Sequence, residues 1–189
     1  KINFILILFY FILTSVALTI SFVTYTPDDP SFIYGDNSIK IKNFFGIYGS
    51  GIADFLLQSF GLVSFLLLTN FMLWGFSFLI KKEIKKFLLK LFFVVLYLIL
   101  GTIFIYLTFN NSFWLIDNGN SGFVGKISYN YISNLAPWIN NNYSKSVIFL
   151  LTIVFFIFAS GLNINKILPQ IFKKITSIFK KKQIIEKSI

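Results

Sequence analysis

Residues Ser15–Phe32 read SVALTISFVTYTPDDPSF. An apolar run stops abruptly at a Pro-Asp-Asp-Pro turn. Pro27 and Pro30 fix the backbone there, and Asp28 and Asp29 suit turn formation and capping. The apolar run reaches back to about Ile2 with no charged residue in it. About 20 helical residues cross a hydrocarbon core of about 30 Å. The run therefore reads as a membrane span, and the acidic turn marks where the chain leaves lipid. Apolar residues continue through Leu18, Ile20, Phe22 and Val23, past the roughly 7–15 residues of a signal-peptide core, so cleavage is not expected.

The rest of the chain has the same character. Of 189 residues, 56% are hydrophobic and 13% charged, with a mean hydropathy of +0.78. Soluble domains average about 45–50% apolar and about 25% charged residues. Further apolar runs cover about 55–80, 87–109 and 147–164. With the first run, about 2–25, they predict an all-α polytopic membrane protein whose four transmembrane helices form one anchor domain, residues 1–165. Lys90 is the single charge within these runs; it lies near the start of the third and can snorkel.

The lysines set the orientation. Lys81, Lys82, Lys85 and Lys86 crowd the link between the second and third runs, and its shortness implies an antiparallel hairpin. Lys166, Lys173, Lys174, Lys180, Lys181, Lys182 and Lys187 follow the fourth run, whereas the other two loops hold only Lys40, Lys42, Lys126 and Lys145. Lysine-rich ends stay in the cytoplasm. Both termini are thus expected inside, with the Pro-Asp-Asp-Pro turn outside.

Two smaller helices are predicted. Phe123, Val124, Ile127, Tyr131, Ile132 and Leu135 recur at helical spacing, and Pro137 ends the pattern. This helix is placed on the outer membrane surface, with Trp138 at headgroup depth. In residues 166–189, Ile167, Leu168, Ile171, Phe172, Ile175, Ile178 and Phe179 share one face and lysines the other, as in an amphipathic cytoplasmic helix. Lys81, Lys82, Lys85, Lys86, Lys173, Lys174, Lys180, Lys181 and Lys182 are assigned to an anionic inner leaflet, each contributing about 1 kcal/mol of attraction.

Catalytic chemistry has little to work with. The chain has no cysteine and no histidine, and every basic residue is lysine. This removes thiolate ligands and the commonest general base, so neither a catalytic site nor a cofactor is expected. The stretch GNSGFVGKIS, Gly119–Ser128, resembles a phosphate loop but has Asn120 where the first glycine belongs and Ile127 where Ser or Thr belongs. Asn110 and Asn142 open N-x-S triplets, a short and common pattern to which no role is given. Asn70 sits in the middle of the second span, where it is expected to bond a neighbouring helix. Gly61, Ser64, Gly75 and Gly101 are read as small residues that let helices approach. A small transporter or channel subunit is the alternative reading, with Asn70, Thr69, Ser64 and Gln58 as its polar groups.

The order of features resembles the N-terminal four-helix membrane domain of the FtsK/SpoIIIE-type DNA translocases. Thr26, Pro27, Asp28, Asp29, Pro30, Ser31 and Phe32 match that family's turn after its first helix, with Phe32 where tryptophan is frequent. Gly46, Gly49, Gly51, Ala53, Asp54, Phe60 and Gly61 match its glycine-rich approach to the second span. The GFVGKI turn and Ser160-Gly161-Leu162 fit the later segments. The resemblance implies a septum-targeting anchor in the bacterial inner membrane, serving chromosome segregation. It implies division-site membrane proteins as partners, with docking at Pro27–Phe32. Hexamer formation and DNA contact would come only through a motor beyond Ile189, since no Walker loop lies in the chain.

Overall fold

The computed structural model describes residues 2–32, 40–81, 85–111, 115 and 117–162. Its helices are α1 (Ile2–Val23), α2 (Gly46–Phe60), α3 (Ser64–Lys81), α4 (Phe87–Phe109), α5 (Gly122–Leu135) and α6 (Asn142–Ser160). Short 3-10 turns occupy Gly61–Val63 and Pro137–Asn140, and no strand occurs among the described residues. Helices α1, α3, α4 and α6 hold 22, 18, 23 and 19 residues. At 1.5 Å per residue they are roughly 27–35 Å long, the length of a membrane crossing.

These four helices pack as two antiparallel pairs. On α1 and α3, Phe22 meets Phe65 edge-on at 5.3 Å and Phe11 meets Trp74 at 6.0 Å. Gly75 makes room there, since a β-carbon on it would lie 2.9 Å from Ile12 Cγ1. On α4 and α6, Phe104 meets Phe149, Tyr97 meets Phe156 and Phe93 meets Phe158, with centroids 4.9–5.5 Å apart. Gly101 takes both Val63 and Thr152 against its Cα.

Polar bonds join the pairs. The Trp74 indole donates to the Ala159 carbonyl at 2.8 Å, tying α3 to α6. Within the α1–α3 pair, the Ser15 hydroxyl donates to the Leu68 carbonyl at 3.3 Å. Asn70 donates through Nδ2 to the Tyr97 hydroxyl at 3.4 Å, a long bond between α3 and α4. Its Oδ1 is buried without a partner among the described residues. Bulky apolar side chains cover the remaining faces: Phe92, Val95, Leu150, Val154 and Phe158 are all exposed. With lipid as the solvent, such surface costs nothing to leave uncovered.

The second apolar run, expected as one span over 55–80, is two helices. Gly61 adopts φ +56° and breaks the chain between α2 and α3. Mean hydropathy does not register such a break, because both sides of it are oily. The fourth run starts at Asn142 rather than Val147, because Asn141 caps α6 by accepting the Tyr143 amide at 3.3 Å. Gly161, at φ +70°, closes the same helix.

Lysines gather at one end of the bundle. Lys86 opens α4 in the left-handed region at φ 54°, and both it and Lys85 are exposed. Lys90 lies over Gly161, where a β-carbon would stand 2.9 Å from its Cε. Its ammonium therefore sits at the negative end of the α6 dipole. Lys82, the helix expected over 166–189, and with it Lys173, Lys174, Lys180, Lys181 and Lys182, lie outside the described residues.

Candidate functional site

The other end of the bundle is capped by the turn after α1, by α2, by the loop before α5, and by α5 itself. Three devices hold this cap together.

The first is a clamp around the acidic turn. Asp29 is 8% exposed and accepts the backbone amides of Lys42 and Asn43 at 2.9 and 2.8 Å. Asn43 in turn donates to the Ser21 carbonyl at 2.9 Å and accepts the Phe45 amide at 3.1 Å. The Ser50 hydroxyl donates to the Pro30 carbonyl. Phe32 presses on Gly51, whose missing side chain leaves space for the ring. Asp28 points the other way: its side chain is 75% exposed, and it meets Lys42 at 3.7 Å across solvent. The two aspartates therefore differ in kind. Asp29 organises backbone, while Asp28 and the largely exposed Phe32 face outward.

The second device is a polar chain. Tyr25, beyond the end of α1, donates to Asp54 Oδ1 at 3.0 Å and accepts from Gln58 Nε2 at 3.2 Å. Gln58 Oε1 accepts from Asn118 at 2.9 Å. Burial first, with the Asp54 carboxylate adding to it against the pull of the Gln58 amide, holds the Tyr25 phenol above its ordinary range. It thus stays a neutral donor.

The third is a clasp of two glycines. Gly61 and Gly122 both have positive φ and meet backbone to backbone. Leu62 donates its amide to the Asn120 carbonyl at 2.9 Å. Asn120 donates through Nδ2 to the carbonyls of Phe109 and Asn111, and the Ser121 hydroxyl donates to Asn110 Oδ1 at 2.7 Å. Gly61 thus joins the helix break to the α5 entry rather than letting two spans approach. Ser64 bonds back across the same break to the Leu56 carbonyl at 2.7 Å.

Helix α5 covers the side of the cap. Gly125 abuts the Thr102 carbonyl and Tyr129 stacks on Tyr106 at 4.5 Å. Phe123, Ile127, Tyr131 and Leu135, four residues apart, form one exposed stripe, followed by exposed Trp138.

Of the residues singled out from sequence, Pro27–Phe32 fall together on this cap. Gly75 and Asn70 lie in the bundle, and Gly61 and Ser64 at the break. Sequence reasoning did not find Tyr25, Asn43, Ser50 or Asn118; it raised Gln58 only as a polar group of a transporter, Asn120 only as a mismatch to a phosphate loop, and Gly122 only within the GFVGKI turn. The available signal was the density of asparagine and glycine over residues 110–122.

No curated protein and no solved structure matches the chain. A family model described as the 4TM region of DNA translocase FtsK/SpoIIIE matches residues 2–172.

Proposed function

The chain belongs to the FtsK/SpoIIIE 4TM family, and on that premise we propose that it holds a DNA-translocating motor at the bacterial division septum through its capped end. The family places it as the membrane region of such a translocase rather than as the motor. The finer reading adds an inner-membrane location, cytoplasmic termini, an outward-facing cap, and a role in chromosome segregation.

One observation carries the septal part. The acidic turn is rigidly held by Asp29, yet presents Asp28 and Phe32 to the surroundings. A rigid charged-plus-aromatic knob suits recognition by another protein, because little order is lost on binding. Four spans anchor far more firmly than one lipid chain or one surface helix. The lysines at the opposite end suit an anionic leaflet.

The test is a fluorescent fusion of the full translocase carrying Asp28→Ala and Phe32→Ala together, with membrane insertion verified. Septal enrichment falls if the knob is the recognition element. Unchanged enrichment removes the knob from the account. Asp29 is left intact, since its loss would disturb the fold itself.

A further inference from the structure

An open cleft of about 550 Å³ at the capped end is lined by Tyr106, Asn110, Asn111, Asp117, Asn118 and Lys126, with Gly119 at its edge. Asp117 and Lys126 are both exposed, and among the described residues neither is in an ion pair. One free carboxylate and one free ammonium thus border a single basin, whose lining also holds the amides of Asn110, Asn111 and Asn118. A second cleft of about 500 Å³ shares Tyr106, Asn110 and Asn111 and continues along Leu107, Thr108 and Phe109. Those residues form the last turn of the membrane-spanning α4, and Phe109 is 61% exposed. The polar basin therefore lies beside the exposed Phe109 ring, at the end of a membrane-spanning helix.

We propose that this cleft holds the headgroup of a zwitterionic phospholipid, a phosphoethanolamine, with Lys126 on the phosphate and Asp117 on the primary ammonium. The charges select the class. A phosphate alone satisfies Lys126 and leaves Asp117 repelled, whereas a ligand with both signs pairs each. The exposed Phe109 ring selects the source, because a soluble zwitterion has nothing to lay against it while an acyl chain does. The volume is within the range of small-molecule sites. The inference rests on the cleft alone and stands apart from septal targeting.

The purified chain in mixed micelles with equal phosphatidylethanolamine and phosphatidylglycerol is analysed by native mass spectrometry. Wild type retains phosphatidylethanolamine over phosphatidylglycerol by about two- to fivefold, the worth of one exposed ion pair. Asp117→Asn abolishes that preference, Asp117→Glu keeps it, and Lys126→Gln lowers retention of both lipids. Lys145→Gln, outside the cleft, changes neither. These side chains are exposed, so melting temperatures stay within error of wild type. Equal retention of the two lipids by wild type overturns the proposal, as does a preference that survives Asp117→Asn. Displacement of the lipid by water-soluble phosphoethanolamine at matched concentration overturns the lipid assignment.

Discussion

Gly61 and Gly122 meet so closely that neither can carry a side chain. A β-carbon on Gly61 would lie 2.8 Å from the Gly122 nitrogen, and one on Gly122 would lie 2.6 Å from the Gly61 nitrogen. Both also have positive φ, which costs an L-residue about 1–2 kcal/mol before any collision. Alanine at either position is expected to destabilise the chain by at least about 2 kcal/mol, read as a fall in detergent-solubilised melting temperature. Gly46 also has positive φ but has open space around it. Gly46→Ala should therefore show the conformational cost without the collision. Equal losses at all three positions would remove the clasp from the explanation.

The two neighbouring aspartates separate in the same assay. Asp29→Ala strands the buried Asn43 amide and the part-buried Lys42 amide, at a cost of about 2–3 kcal/mol. Asp28→Ala breaks an exposed pair and changes stability by less than about 0.5 kcal/mol. A larger effect at Asp28 than at Asp29 would contradict the clamp.

Within the bundle, Asn70 makes one long bond and leaves Oδ1 unsatisfied. An interhelical bond in lipid averages about 0.6 kcal/mol. Asn70→Leu removes the Oδ1 orphan but leaves the buried Tyr97 hydroxyl without its partner, so the two effects offset and the change is expected to stay within about 1 kcal/mol. Asn70→Asp introduces a charge costing about 3 kcal/mol at mid-membrane and should impair insertion. Comparing membrane-inserted yields of the two variants tests this.

Orientation is checked by labelling, which the chain permits because it has no cysteine. Single cysteines replacing Asp28 and Tyr143 should react with an impermeant maleimide added to intact spheroplasts. One replacing Lys85 should react only after lysis. Reaction at Lys85→Cys in intact cells would invert the assignment.

Sequence reading recovered the elements that hydropathy alone defines. Helix α4 spans Phe87–Phe109, the expected range, because polar or turn-forming residues bound it on both sides. Helix α5 ends where Pro137 requires. Helix α2 was hidden, because Gly46, Gly49 and Gly51 lower helix propensity and look like loop. Their use is tertiary: Gly49 and Gly51 leave room for Asn43 and Phe32. The pairing of Asp29 with residues 42 and 43 was equally invisible. Nothing in local sequence states which amides a carboxylate will reach more than ten positions away.

The bond from Trp74 to the Ala159 carbonyl has a mechanical consequence. Any tension arriving through residues beyond Gly161 reaches α6 within two residues of that bond. The indole passes part of it sideways into α3, and the α3–α1 packing hands it on. With α4 already paired to α6, the load is then borne by all four helices at once, and lipid resists the withdrawal of a joined body rather than of a single rod.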